Sequence, residues 1–183
     1  MSSHPQVDVP GYGKVTGICA PTIKDDSVIE FRGVPYAKIP GRFQKSVLHE
    51  ELDSPHDGSK YGPMCPSPPI ELVLNDSTLD LIAPRPNQGQ DEFRCLNMNI
   101  AVPKDALTGG GKLPVLVWIY GGAFIMGANT DRYAAIASLC KQSIEIGKPI
   151  IVAAINYRLG YLGFLSSKEL KEANASKGGG AGN

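Results

Sequence analysis

The segment with the most chemical content is VWIYGGAFIMG, residues 117–127, where a continuous apolar run stops at two glycines, an alanine and a phenylalanine. Small residues there allow main chain to approach a ligand closely. In open α/β sheets ligands bind beyond the carboxyl ends of the strands, which is where the N–H groups after such a run would lie. Two donors left outside the sheet ladder can receive a developing oxyanion. The same residues also describe an ordinary glycine-rich turn, and the segment alone does not separate the two readings. Other chemistry is sparse. Cys19, Cys65, Cys95 and Cys140 show no CxxC or Cys/His spacing, so neither a zinc site nor any other metal or cofactor site is indicated, and buried free thiols are expected.

The run that carries this segment, residues 115–119, is uniformly apolar and is preceded by Gly109-Gly110-Gly111. Such a run suits an interior strand covered on both faces. Residues 133–146 carry apolar side chains at Tyr133, Ile136, Leu139 and Cys140, with capping oxygens at Asn129-Thr130-Asp131 and a stop at Gly147 and Pro149, which predicts a helix. A second apolar strand over residues 150–155 follows. Strand, helix, strand implies a right-handed crossover and a parallel pair, hence an α/β class.

Upstream, GKVTGIC and SVIEFRGV flank Pro21 and read as an antiparallel start, a hairpin or meander. Residues 41–90 are rich in Pro, Ser and Asp, with five prolines between Pro55 and Pro69, and suit long loops with short helical turns. Leu96, Met98, Ile100 and Val102 alternate with small or polar residues up to Pro103, the period of a half-buried strand. Ser166 and Glu169 have capping-box spacing and open a helix through Lys171. The expected organisation is a flexible N-terminus over residues 1–10, a partial α/β domain over 11–175 and a Gly-rich tail over 176–183.

Eighteen Lys+Arg balance eighteen Asp+Glu, so the basic excess that binds nucleic acid is missing. Twenty-one glycines and 15 prolines make a loop-rich chain, while 42% hydrophobic residues supply a core. The first residues, MSSHPQVDVPGYGK, contain no apolar signal-peptide core of ~7–15 residues, and no run reaches the ~18–20 of a membrane helix. A cytoplasmic location is expected, or a secreted one if the N-terminus is incomplete. The sequence carries no signal for an oligomeric state.

Five blocks, FRGVPYAKIP (31–40), GRF (41–43), DEFRCLNMNI (91–100), LPVLVWIYGGAF (113–124) and INYRLGYLGFLSS (155–167), resemble the type-B carboxylesterase family of lipases and cholinesterases, in the same order. The Gly-Gly-Ala form is most similar to the family's fungal lipases. The resemblance implies the amino-terminal part of an α/β-hydrolase fold and cleavage of carboxylic esters through an acyl-enzyme. It places Gly122 and Ala123 at the oxyanion-hole positions, with Gly121 supporting the turn. Ala123 stands where a third glycine is commoner, and a main-chain donor there serves so long as its backbone stays out of the left-handed region. Trp118, Tyr120 and Phe124 are candidates to line the acyl or gorge region, with core packing favoured for Trp118. Cys65 and Cys95 match the family's first disulfide pair, Arg42 and Glu92 a buried structural ion pair, and Arg158 a charged scaffold position.

The family's nucleophile sits in G-x-S-x-G and is followed by its acid and then its histidine. No serine here has that setting, and His4, His49 and His56 all precede the oxyanion segment. The resemblance therefore implies an amino-terminal portion without nucleophile, acid or base, inactive alone, with a carboxylic ester or lipid as substrate once completed. The ending, Gly182-Asn183, is similar to the start of the family's block before the nucleophile. Strands beyond it would be expected to pair with the Ile150 region. The alternative is a non-catalytic, cholinesterase-like interaction module.

Overall fold

The computed structural model describes residues 4–23, 26–52, 54–68, 88–109, 111–131 and 135–175. At its centre lies β8 (Asn97–Pro103), bonded antiparallel to β4 (Val28–Pro35) on one side and to β10 (Ile151–Ile155) on the other. Short β3 (Ile18–Cys19) extends the sheet beyond β4, and β9 (Val115–Ile119) extends it beyond β10, giving the order β3-β4-β8-β10-β9. Within this sheet β9 and β10 run parallel, in the register Ile151 with Val115 to Ile155 with Ile119, and the other pairs antiparallel. The helix between them, α2 (Ile136–Glu145), lays Ile136, Ala137 and Cys140 on Val28, Ala101, Val152 and Ala154. This strand-helix-strand unit is the one expected from two apolar runs around one amphipathic stretch.

The opposite face of the sheet carries Ile29, Phe31, Val34 and Val102, with Met98, Ile100 and Ile151 beside them. It meets a second sheet of β1 (Gln6–Val9), β2 (Gly13–Thr16) and β7 (His56–Asp57). Between them an apolar cleft of about 630 Å³ is lined by Val7, Tyr12, Phe31, Met98, Ile100 and Ile151 among others. Gln6–Val9, in the segment expected to be a flexible N-terminus, is thus a paired strand. GKVTGIC divides between the two sheets at Gly17, where a Cβ would stand 2.8 Å from the Phe31 ring. Two further short strands, β5 (Ala37–Lys38) and β6 (Val47–Leu48), form a hairpin, and α1 (Ala106–Gly109) is a single turn.

Several expectations are corrected. Among the described residues the 115–119 run stands at the edge of the sheet and not inside it: Val115, Val117 and Ile119 are 58, 53 and 63% exposed. Both sides of β10 are occupied, by β8 and β9, so the open edge belongs to β9 and not to the Ile150 region. The residue before α2 is Ala135, with no side-chain cap, and Asn129, Thr130 and Asp131 are buried in the preceding loop instead. Arg132, Tyr133 and Ala134 lie outside the described residues. The helix ends as expected at Gly147, whose φ is 70° and whose N–H donates to Ile144 O. After α3 (Gly160–Phe164), α4 (Lys168–Ala175) outruns Lys171, and its first turn is capped by Ser167, whose hydroxyl accepts from Leu170 N–H at 3.2 Å, one residue later than expected. The described part of residues 41–90 contains loops and short strands but no helical turn. Residues 69–87 and the Gly-rich tail lie outside the described residues. Among the described residues no helix is long and apolar enough to cross a membrane.

Candidate oxyanion site

The apolar run ends at Ile119 because Tyr120 turns inward: it is 2% exposed and stacks on Tyr157 with ring centroids 4.5 Å apart. The Tyr157 hydroxyl donates to Tyr120 O at 3.0 Å, which ties the end of β9 to the segment after β10. The chain then folds into a tight turn whose hub is Gly122 O, accepting from Ile125 N–H at 3.0 Å and Met126 N–H at 3.1 Å. Gly122 has φ 133°, and a Cβ on it would lie 2.1 Å from Met126 O, so no other residue fits. Gly121, in contrast, has open space where a Cβ would stand. The conformational demand therefore falls on Gly122 rather than on the residue expected to support the turn.

Among the described residues, the N–H groups of Gly122 and Ala123 donate to no backbone or side-chain acceptor. Ala123 is exposed and Gly122 half-buried. Ala123 has φ 53° and Phe124 φ 63°. The expectation that Ala123 stays out of the left-handed region is not met: it is left-handed, at a cost of roughly 1–2 kcal/mol for an L-residue, and this strain leaves its N–H without an acceptor among the described residues rather than removing it as a donor. Phe124 O accepts from Gly160 N–H at 2.7 Å, which clamps the middle of the turn to the start of α3. The Phe124 ring, 63% exposed, lies 5.0 Å from that of Phe164, and with Tyr161 and Ile125 these residues form an apolar surface beside the free amides. Of the three candidate lining residues only Phe124 is on that surface. Tyr120 is beneath the turn, and Trp118 packs against the core under α2.

Four asparagines that the sequence reading passed over lie directly behind the turn. Asn97, Asn99, Asn129 and Asn156 are all at most 2% exposed. The signal was present in the alternation of β8, but polar residues at every second position read as a solvent-facing side, whereas here they are buried and bonded. Asp131 is buried with them and accepts from Ala128 N–H at 3.1 Å.

The remaining candidates resolve into scaffold. Cys65 and Cys95 are free cysteines, fully buried and in contact with one another. That contact and burial push the Cys95 thiol up, while the same contact holds Cys65 below its ordinary range. Cys65 Sγ also accepts from Leu159 N–H at 3.2 Å. Arg42 and Glu92 form the expected ion pair, at 2.7 Å, but the Arg42 side chain is 61% exposed, so it is a surface pair and not a buried one. The buried pair is Arg32 with Glu30, two residues apart on one face of β4, with Arg32 also over the Tyr61 ring. Arg158 donates to Gln44 O at 2.8 Å, and burial lowers its pKa. Burial raises Tyr36 to about 12, its hydroxyl donating to Asn156 O. Of the histidines, His56 Nε2 bonds Arg32 O at 2.8 Å, His49 lies edge-on to the Tyr12 ring and His4 is exposed.

Comparison with known proteins bears on what this turn belongs to. Residues 3–176 match the model of the Carboxylesterase family. The chain is 34% identical over 147 residues to Lipase 3 of Yarrowia lipolytica, covering 79% of this chain and 29% of that protein. It is 34% identical over 171 residues to the para-nitrobenzyl esterase of Bacillus subtilis, covering 92% of this chain and 30% of that one. A solved structure of a PNB esterase superposes with a TM-score of 0.68 at 33% identity, over 93% of this chain and 30% of its own. The chain thus spans less than a third of the length of these relatives. With residues 3–176 matched and a sheet that superposes on a solved esterase, the chain belongs to the carboxylesterase family and has part of an α/β-hydrolase fold.

Proposed function

We propose that this chain supplies the oxyanion-binding segment of a carboxylic ester hydrolase, with the main-chain N–H groups of Gly122 and Ala123 as donors. The observation that carries the reading is that, among the described residues, these two adjacent amides take no other partner at the carboxyl end of β9, in a turn that only glycine at 122 permits. Oriented amides facing open space stabilise the negative oxygen of a tetrahedral intermediate without having to reorganise. Phe124, Phe164 and Tyr161 offer an apolar surface beside them, which suits an ester with an apolar group, a small carboxylic ester or a lipid.

Residues 1–183 contain no serine in a G-x-S-x-G setting and no histidine after the turn, so the nucleophile, acid and base come from elsewhere in the completed fold. A chimera tests the assignment: residues 3–176 replace the matched part of the Bacillus subtilis para-nitrobenzyl esterase, and p-nitrophenyl butyrate hydrolysis is measured with and without Gly122→Pro. Proline removes the N–H and imposes a negative φ, so turnover should fall roughly 10²–10³-fold, the usual effect of losing one such donor. Equal turnover in the two chimeras would reject the oxyanion assignment.

A further inference from the structure

Residues 128–131 follow the turn directly and are buried throughout, which is unusual for a connecting segment, whose backbone normally faces water. The reason lies in Asn129. Its N–H donates to Asn156 Oδ1 at 2.8 Å, and its C=O accepts from Asn99 Nδ2 at 3.2 Å. Its own side-chain amide donates to Asn97 O at 3.1 Å, Asn97 Oδ1 at 3.3 Å and Ala154 O at 3.4 Å. Among the described residues its Oδ1 takes no partner, so the side chain works purely as a donor. One residue is therefore bonded to β8 and to the end of β10 at once.

Its anchors are themselves held. Asn97 Nδ2 donates to Pro63 O at 2.8 Å, Asn99 Oδ1 accepts from Gly33 N–H at 2.9 Å, and Asn156 Nδ2 reaches Asn97 Oδ1 at 3.4 Å. The turn, in contrast, has few bonds of its own: two amides on Gly122 O, and Gly160 N–H on Phe124 O. Two successive non-glycine residues at positive φ persist only when the surroundings over-determine them. A loop pinned at both ends satisfies that condition, and the upstream pin is already visible in the Tyr120–Tyr157 stack.

We propose that Asn129, seated by Asn156, is a positioning residue that pins the downstream end of the 121–127 turn and thereby sets the direction of the Gly122 and Ala123 amides. Its functional meaning rests on the oxyanion reading; the pinning is a property of the hydrogen-bond geometry. Aspartate at 129 would place carboxylate oxygens against the carbonyls of Asn97 and Ala154. Aspartate at 156 keeps an oxygen for the Asn129 N–H and loses only the longer donation to Asn97 Oδ1 and Pro63 O, whereas alanine at 156 removes both.

Hydrogen exchange followed by mass spectrometry on the 183-residue chain, at low micromolar concentration, tests this through the amides of Ile125 and Met126. Asn129→Asp and Asn156→Ala should each speed exchange in the turn by about tenfold or more, while peptides from β8 and β10 keep wild-type rates. Asn156→Asp, which keeps the acceptor for the Asn129 N–H, should exchange in the turn more slowly than Asn156→Ala. Unchanged turn exchange in Asn129→Asp would overturn the proposal, as would β8 and β10 opening to the same degree, which is the signature of a merely structural core amide. Should Asn129→Asp fail to fold, the two Asn156 variants decide, and equal exchange in both would overturn it. Exchange has no catalytic content, so a pinned turn together with chimeras that ignore Gly122→Pro would reject the oxyanion reading alone.

Discussion

Ala123 and Phe124 stand side by side at φ 53° and 63°, a conformation that glycine adopts freely and that L-residues enter only under constraint. Ala123→Gly should therefore stabilise the chain by about 0.5–1 kcal/mol, since the Ala123 side chain is exposed and little packing is lost. The midpoint of a urea melt should rise at unchanged slope, and a lower midpoint would show that Ala123 is not strained. Tyr36 gives a pH signature. Its folded pKa, about 12 against an ordinary 10.0, is raised by burial, so the neutral form is the one the fold holds. Its contribution is complete below pH 10 and is lost as pH rises through 12. Tyr36→Phe should flatten part of the alkaline fall in stability, with Tyr12, Tyr120 and Tyr157, raised for the same reason, accounting for the rest. Denaturant melts across that range, read with tyrosinate absorbance, check it; an alkaline limb identical in the variant would contradict it.

The strand-helix-strand unit was legible because two apolar runs and one amphipathic stretch state their periods plainly. What composition does not state is which side of a strand is covered. VLVWI is written for burial, yet β9 has β10 on one side and nothing among the described residues on the other. An apolar edge without a charge or proline of its own is a template for further pairing. Val117→Lys should reduce self-association of the chain, measured by light scattering against concentration, and association unaffected by it would place the sticky surface elsewhere, on the apolar cleft beneath β1 and β2 first. The cap of α2 was misread for a related reason. Asn129, Thr130 and Asp131 have the right side chains for capping, but burial commits them to β8 and β10, to Gln88 and to Ala128 instead. Local spacing cannot distinguish an oxygen that caps a helix from one that fills a polar core.

At the scale of the molecule, the blocks around residues 31–43, 91–100, 113–124 and 155–167 were enough to reach the family, because they mark the fixed points of the sheet and its turn. The balance of charge within them was harder to read. The resemblance implies a buried pair at Arg42 and Glu92, which lies at the surface, while Glu30 and Arg32, unremarked in sequence, are inside. The central proposal is that the chain carries the donors for an oxyanion and not the groups that generate one. Its most direct test is p-nitrophenyl butyrate turnover by the purified 183-residue chain beside its Gly122→Pro variant. Without a nucleophile and general base, donors alone cannot form an acyl-enzyme, so both proteins should match the buffer rate. Turnover above buffer that Gly122→Pro abolishes would show a competent nucleophile within these residues and contradict the account.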